Sequence, residues 1–229
     1  MSGRRTGAGG SRRGRRSRAR AGLDARKKKY FDSLAARWDS MHADGDRTSR
    51  VRDLVRRFGL RPGEVIVEPG CGAGNVTPFL LEALKGRGII HALDYAPRMA
   101  DEARRKRFAG EVRVYECDVC RMPLADGAAD AVVCFHAFPH FSDPAAALRE
   151  IRRVLRARGR LILAHLRGSK ETNAFHSGLQ APVRQDRLPD EAAMRALLHA
   201  AHFRVAAFED ESERYLVIAI KQAAKRRPA

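Results

Sequence analysis

Apolar and polar positions along the chain follow two different periods, and the change from one to the other divides it into elements. Over residues 24–41 the apolar residues Tyr30, Phe31, Leu34, Ala35 and Trp38 recur at the spacing of one helix face. Val51, Leu54, Val55 and Phe58 repeat that pattern in a second helical stretch, closed by Gly59, Pro62 and Gly63. Beyond residue 64 short apolar runs alternate with amphipathic segments: strand 65–68, helix 75–85, strand 88–93, helix 97–108, strand 112–117, strand 130–135, helix 144–157 and strand 160–165. Residues 121–127, between the third and fourth strands, are too few and too rich in Pro, Asp and Gly for a full helix. Such alternation predicts an α/β fold, a mostly parallel sheet with crossover helices on both faces. After a polar stretch over 167–189 and a helix over 190–201, FRVAAFED and ERYLVIAIK stand so close together that they must pair as an antiparallel hairpin.

A chain of 229 residues suits one such domain with appendages. No run of about 18 apolar residues occurs, and the N-terminal SGRRTGAGGSRRGRRSRAR lacks the apolar stretch of a secretory signal, so a cytoplasmic protein is expected. Cys71, Cys117, Cys120 and Cys134 lie in or beside strand-like runs, where free thiols are ordinary in a reducing compartment. The formal charge of +18 belongs to the ends. Residues 1–29 carry nine Arg and three Lys against one Asp, and 221–229 add four basic residues, leaving +3 for 30–220. An arm so poor in apolar residues is expected to be disordered over 1–28, with 221–229 a short basic tail. It is either a weak, salt-sensitive tether to nucleic acid or a solvated extension, since arginine without interleaved aromatics attracts charge but stacks no bases.

The chemistry concentrates in VIVEPGCGAGN, residues 65–75. Its glycines are spaced G-x-G-x-G and followed by Asn75, which is not the G-x-G-x-x-G of a dinucleotide turn. No Gly-Lys-Ser/Thr follows for a triphosphate. What remains is a tight turn bringing backbone close to a ligand, beside Glu68, an acid that would repel phosphate and suits an ammonium group.

With its neighbours this turn resembles the class I S-adenosylmethionine-dependent methyltransferases, in particular small-molecule members of the type 11/25 kind, over residues 30–220. EPGCGAG stands for the first motif, HALDYAPRM for the ribose segment and YECDVCRMPL for the adenine segment. LREIRRVLRARGRLILAH matches the helix and fifth strand, with Arg158-Gly159 where Pro-Gly is more usual. The resemblance implies a Rossmann-like seven-stranded sheet of order 3-2-1-4-5-7-6 with the last strand antiparallel. It implies a core over 64–166, a helical cap over 29–60 bearing Tyr30, Phe31 and Trp38, and a lid and hairpin over 167–220. It also implies that S-adenosyl-L-methionine is held by Glu68 at its amino end, by the turn Gly70, Cys71, Gly72 and Gly74, by Asp94 on the ribose hydroxyls with Tyr95 and Met99 near the adenosine, by Asp118 and Val119 on the adenine, and by Phe135.

Ligands of such sheets sit at the carboxyl ends of the strands, near the switch point between the first and fourth. CFHAFPHFSDP therefore brings Phe135, His136, Phe138 and His140 toward the transferred methyl, and AHLRGSKETNAFHSG adds His165, Asn173 and His176. Methyl transfer needs a base only where the acceptor must lose a proton. His136, His140, His165 and His176 are the candidates, each with the plainer alternative of a packing or loop histidine. Cys117-x-x-Cys120 is half a zinc pattern without its second half, and no metal is expected.

The expected function is methyl transfer to a small-molecule acceptor. Methylation of RNA or DNA through the basic arm is the alternative, although FHAFPH replaces the Asn/Asp-Pro-Pro-Tyr/Phe of exocyclic-amine methylation. A nicotinamide oxidoreductase is opposed by the glycine spacing and by Asp118. Nothing in the sequence fixes an oligomeric state.

Overall fold

The computed structural model of the protein describes residues 12–223. Its seven strands are β1 (Val65–Pro69), β2 (Ile89–Asp94), β3 (Glu111–Glu116), β4 (Ala129–Phe135), β5 (Leu155–His165), β6 (Phe203–Glu211) and β7 (Arg214–Lys221). They form one sheet of order β3-β2-β1-β4-β5-β7-β6, parallel throughout except that β7 runs antiparallel to both β5 and β6. The helices are α1 (Arg12–Leu34), α2 (Trp38–Met41), α3 (Gly45–Arg56), α4 (Thr77–Ala83), α5 (Pro97–Arg105), α6 (Pro144–Val154), α7 (Ser169–Ser177) and α8 (Glu191–Ala200).

Strand periodicity divides the core into two layers. Val67, Val132 and Cys134 face Leu148 and Ile151 of α6 and Met194 and Leu198 of α8. Their neighbours Ile66, Ala131 and Val133 face Val51, Leu54 and Val55 of α3 and Leu80 and Leu81 of α4. Covering both faces is what near-continuous apolar parallel strands require. Helix starts are fixed locally: the carboxylates of Asp143 and Asp190 accept from the N–H groups of Ala146 and Ala193, with Pro144 opening α6.

Three expectations change. The helix expected over 144–157 ends at Val154, because Leu155 is fully buried and pairs with Ala129, so β5 begins there and turns through Arg158 and Gly159. The polar stretch 167–189 contains α7, whose buried face is Ser169, Thr172 and His176; a polar face carries no apolar period for the sequence to show. The arm expected to be disordered to residue 28 has its boundary moved: α1 already includes residues 24–28, and Lys27 is 2% exposed. Residues 1–11, and 224–229 of the basic tail, lie outside the described residues. Among the described residues no helix is long and apolar enough to cross a membrane.

Candidate active site

At the end of β1 the chain turns through three glycines with φ of 73°, 56° and 77° at Gly70, Gly72 and Gly74, a region side chains disfavour. The N–H groups of Gly70 and Cys71 donate to the Leu93 carbonyl at 2.7 and 3.0 Å, which pins the turn to the end of β2. A Cβ on Gly70 would stand 2.6 Å from that of Ala137, so the turn packs directly against the residue two beyond the end of β4.

Asp94, next along β2, is held by this turn. One carboxylate oxygen accepts from Gly72 N–H and the other from Ala96 N–H, both at 2.9 Å. Burial raises its pKa to about 6 against the opposing pull of those two donors. Beside it the buried Tyr95 hydroxyl has no hydrogen-bond partner among the described residues. Glu68 lies behind the turn, 2% exposed, its carboxyl accepting from the Thr77 hydroxyl at 2.7 Å. Burial is the main cause that pushes its pKa up to about 8.

In front of the turn is a cavity of about 520 Å³ at the carboxyl ends of β1, β2 and β4, a size that suits one small-molecule ligand. Gly70, Cys71 and Gly72 line one wall and Asp94, Tyr95 and Met99 the next; Cys117, Asp118, Val119 and Phe135 also line it. The Asp118 carboxylate accepts from Cys120 N–H at 2.8 Å. Phe31 and Trp38 line the cavity from the N-terminal helices, and Thr172, Phe175 and His176 from α7. Phe31 makes edge contacts with Trp38 at 6.3 Å and Tyr95 at 6.4 Å between centroids.

Five histidines line the same cavity: His42 and the four candidates His136, His140, His165 and His176. His136 has φ of 55°, and its Nε2 accepts from Leu166 N–H at 3.3 Å. Its pKa is held well below the ordinary value, first by burial and then by His165. His165 is 1% exposed, among the described residues neither of its ring nitrogens is hydrogen-bonded, and burial pushes it down to about 3. His140 Nδ1 stands 2.6 Å from a carboxylate oxygen of Asp186, whose other oxygen is 2.6 Å from Lys27 Nζ. Lys27 also donates to the His140 carbonyl at 3.1 Å, and His176 Nδ1 lies 3.0 Å from the Asp186 carbonyl. Among the described residues no group of three or more His, Cys, Asp or Glu is placed to hold a metal ion.

Residues 67–163 match the family model described as Methyltransferase domain. Those residues are similar to a methyltransferase domain. A demethylmenaquinone methyltransferase of Thermus thermophilus is 36% identical over 141 residues, covering 58% of this chain and 62% of that protein. An uncharacterised transposon protein of Streptomyces fradiae is 38% identical over 111 residues, covering 48% of this chain and 32% of its own. The chain thus spans less than two thirds of either relative. Among solved structures, a SAM-dependent methyltransferase from Aquifex aeolicus superposes with a TM-score of 0.66 at 20% identity, over 84% of this chain and 97% of that one. A magnesium protoporphyrin IX methyltransferase from Synechocystis with bound SAH gives 0.63 at 21%, over 85% and 97%. These likenesses are of fold, and the fold is that of class I methyltransferases.

Most of the expected donor-binding residues line the cavity, but two do not reach it. Glu68 is turned from the cavity toward Thr77, and Gly74 faces Phe108, where a Cβ would come within 2.9 Å of the ring. Gly74 therefore serves packing. Asn173, expected in the histidine cluster, clasps the backbone of Leu188, donating to its carbonyl at 2.9 Å and accepting from its N–H at 2.7 Å. Lys27 and Asp186 went unnoticed in the sequence. Lys27 lies in a run of like charge, and Asp186 within a turn-like QDRLPD, so neither offers a local signal; only the fold brings them to His140.

Proposed function

We propose that the chain binds S-adenosylmethionine in this cavity and transfers its methyl group to a small-molecule acceptor. The observation that carries the reading is Asp94, a buried carboxylate on the cavity wall whose two oxygens are each fixed by a backbone N–H, one of them from the glycine turn. A carboxylate so oriented retains acceptor capacity for a vicinal diol. The wall fits the rest of the donor: a turn that tolerates no side chain at Gly70, an unpartnered Tyr95 hydroxyl for a polar ligand atom, and Asp118 beside Val119 for the amino edge and face of a base.

Gly70, Cys71, Gly72, Tyr95, Met99 and Phe135 complete the donor's seat, and Glu68 acts from behind as a neutral carboxyl supporting the turn. The donor supplies a methyl already activated by its sulfonium, so what the chain contributes is orientation, exclusion of water beneath Phe31 and Trp38, and a place for a proton. The names of the relatives, menaquinone and porphyrin methyltransferases, fit a small-molecule acceptor. The test is calorimetry with S-adenosylhomocysteine: Asp94→Ala is expected to weaken binding at least about 30-fold, the loss of roughly 2 kcal/mol in charge-assisted hydrogen bonds. An affinity within threefold of wild type overturns the assignment.

A further inference from the structure

The five histidines of the cavity are not equivalent, and His42 gives its Nδ1 to the Trp38 carbonyl at 2.6 Å. The Nε2 lone pair of His136 is taken by Leu166 N–H, which leaves it nothing with which to accept a proton. His165 has free nitrogens but lies in an environment that disfavours the imidazolium. His176 hands its Nδ1 to a backbone carbonyl, which carries no full charge to balance a proton. Only His140 has a carboxylate behind it, at 2.6 Å, and that carboxylate is 7% exposed and backed by Lys27 at 2.6 Å.

We infer that Lys27, Asp186 and His140 form a proton-accepting unit, with His140 Nε2 as the base in the cavity and Asp186 and Lys27 as positioning residues, and that the acceptor belongs to the class whose nucleophilic atom carries a proton to be lost. This rests on the reading of the cavity as a methyltransferase site. A carboxylate paired with an ammonium only accepts hydrogen bonds, so the proton between Asp186 and His140 sits on Nδ1 and the lone pair is on Nε2. Among the described residues no hydrogen bond occupies that Nε2. Lys27 fixes the carboxylate from the far side and, through the His140 carbonyl, the backbone that bears the ring.

In the transfer, the acceptor's atom forms its bond to the methyl carbon while the carbon–sulfur bond breaks with its pair going to sulfur. The acceptor's proton passes to Nε2. One positive charge, on sulfur before and on the imidazole after, is conserved; Asp186 stabilises it, and release to water restores the base. Besides Lys27 and Asp186, the titratable groups around His140 are His136 at the end of β4, His165 at the end of β5 and His176 of α7, and Asp24 of α1, His42 and Tyr95 line the same cavity.

The test reads the tautomer. In full-length protein with 15N-labelled histidine near pH 7.5, and without any ligand, His140 (assigned by the signals lost in His140→Gln) is expected to show a protonated Nδ1 and a pyridine-like Nε2. In Asp186→Asn the Lys27 ammonium holds the amide oxygen, which turns the NH₂ toward Nδ1 and moves the ring proton to Nε2. With S-adenosylhomocysteine bound to the wild type, phenol is expected to shift the His140 Nε2 resonance, and anisole, which lacks the hydroxyl, is not. A wild-type ring protonated on Nε2, an unchanged tautomer in a folded Asp186→Asn, or equal responses to phenol and anisole each overturn the proposal. The wild-type tautomer is read without Asp186→Asn, so an Asp186→Asn that fails to fold leaves the decision in place. Failure of the functional reading is separate: it shows as absent S-adenosylhomocysteine binding by calorimetry, whatever the tautomer.

Discussion

Replacing Glu68 by Gln is expected to remove much of the pH dependence of folding stability while leaving the fold unchanged. Glu68 is fully enclosed behind the glycine turn and its pKa is raised from 4.5 to about 8, chiefly by burial. Between those values the folded chain keeps the proton that the unfolded chain releases. The stability this group confers is therefore fully present below about pH 4.5 and is lost as pH rises through about 8, at about 1.4 kcal/mol per unit. From about pH 5 to about pH 7.5 that amounts to roughly 3 kcal/mol, a large part of a typical domain's total. Glutamine has the shape of the protonated acid and retains an oxygen for the Thr77 hydroxyl, so the variant is without this loss. Urea unfolding followed by the fluorescence of Trp38, the single tryptophan, compares the two proteins at both pH values. Asp94 titrates in the same sense toward about 6 in both proteins, so the difference between them isolates Glu68. If wild type minus variant stability is the same at both pH values within about 0.5 kcal/mol, Glu68 is ionised in the fold and the account of the turn is wrong.

Two further substitutions probe the walls of the site. Gly70→Ala combines a φ of 73° with a Cβ 2.6 Å from that of Ala137, and is expected to cost about 2–4 kcal/mol in the same unfolding series; a cost below about 0.5 would refute the close approach of the turn to Ala137. His165, pushed down to about 3, confers stability that is present above about pH 6.5 and lost as pH falls toward about 3. His165→Phe, which keeps a ring between His136 and Tyr215, is expected to flatten the acid side of the stability profile. An acid limb unchanged from wild type would contradict the burial of a neutral imidazole.

Periodicity sufficed for the parallel core: the runs that became β1, β2 and β4 are apolar because helices cover both sheet faces, and the terminal hairpin was forced by a loop too short for a crossover. The cavity wall built on the glycine turn was legible for a similar reason, since a turn crowded against Ala137 must be built from glycine and its acids lie at the ends of successive strands. The far end of the cavity was not legible. Its partners, Lys27, His140, His176 and Asp186, come from α1, a short 3-10 turn after β4, α7 and a loop, and each looks ordinary among its neighbours. Lys27 was hidden twice, by the charge of its own run and by a buried pairing that only the tertiary fold supplies. Helix α7 escaped because it buries serine, threonine and histidine, which leave no apolar stripe. Glu68 was recognised as important, but its burial and its hydrogen bond from the Thr77 hydroxyl come from the tertiary fold and leave no local signal.

The most direct test of the central claim is calorimetric titration of the full-length wild-type chain with S-adenosylhomocysteine and, in parallel, with NAD. One-site binding of S-adenosylhomocysteine in the micromolar range, about −8 kcal/mol, with no heat from NAD, is the expected result. Binding of NAD with none of S-adenosylhomocysteine would contradict the assignment of the cavity to a methyl donor.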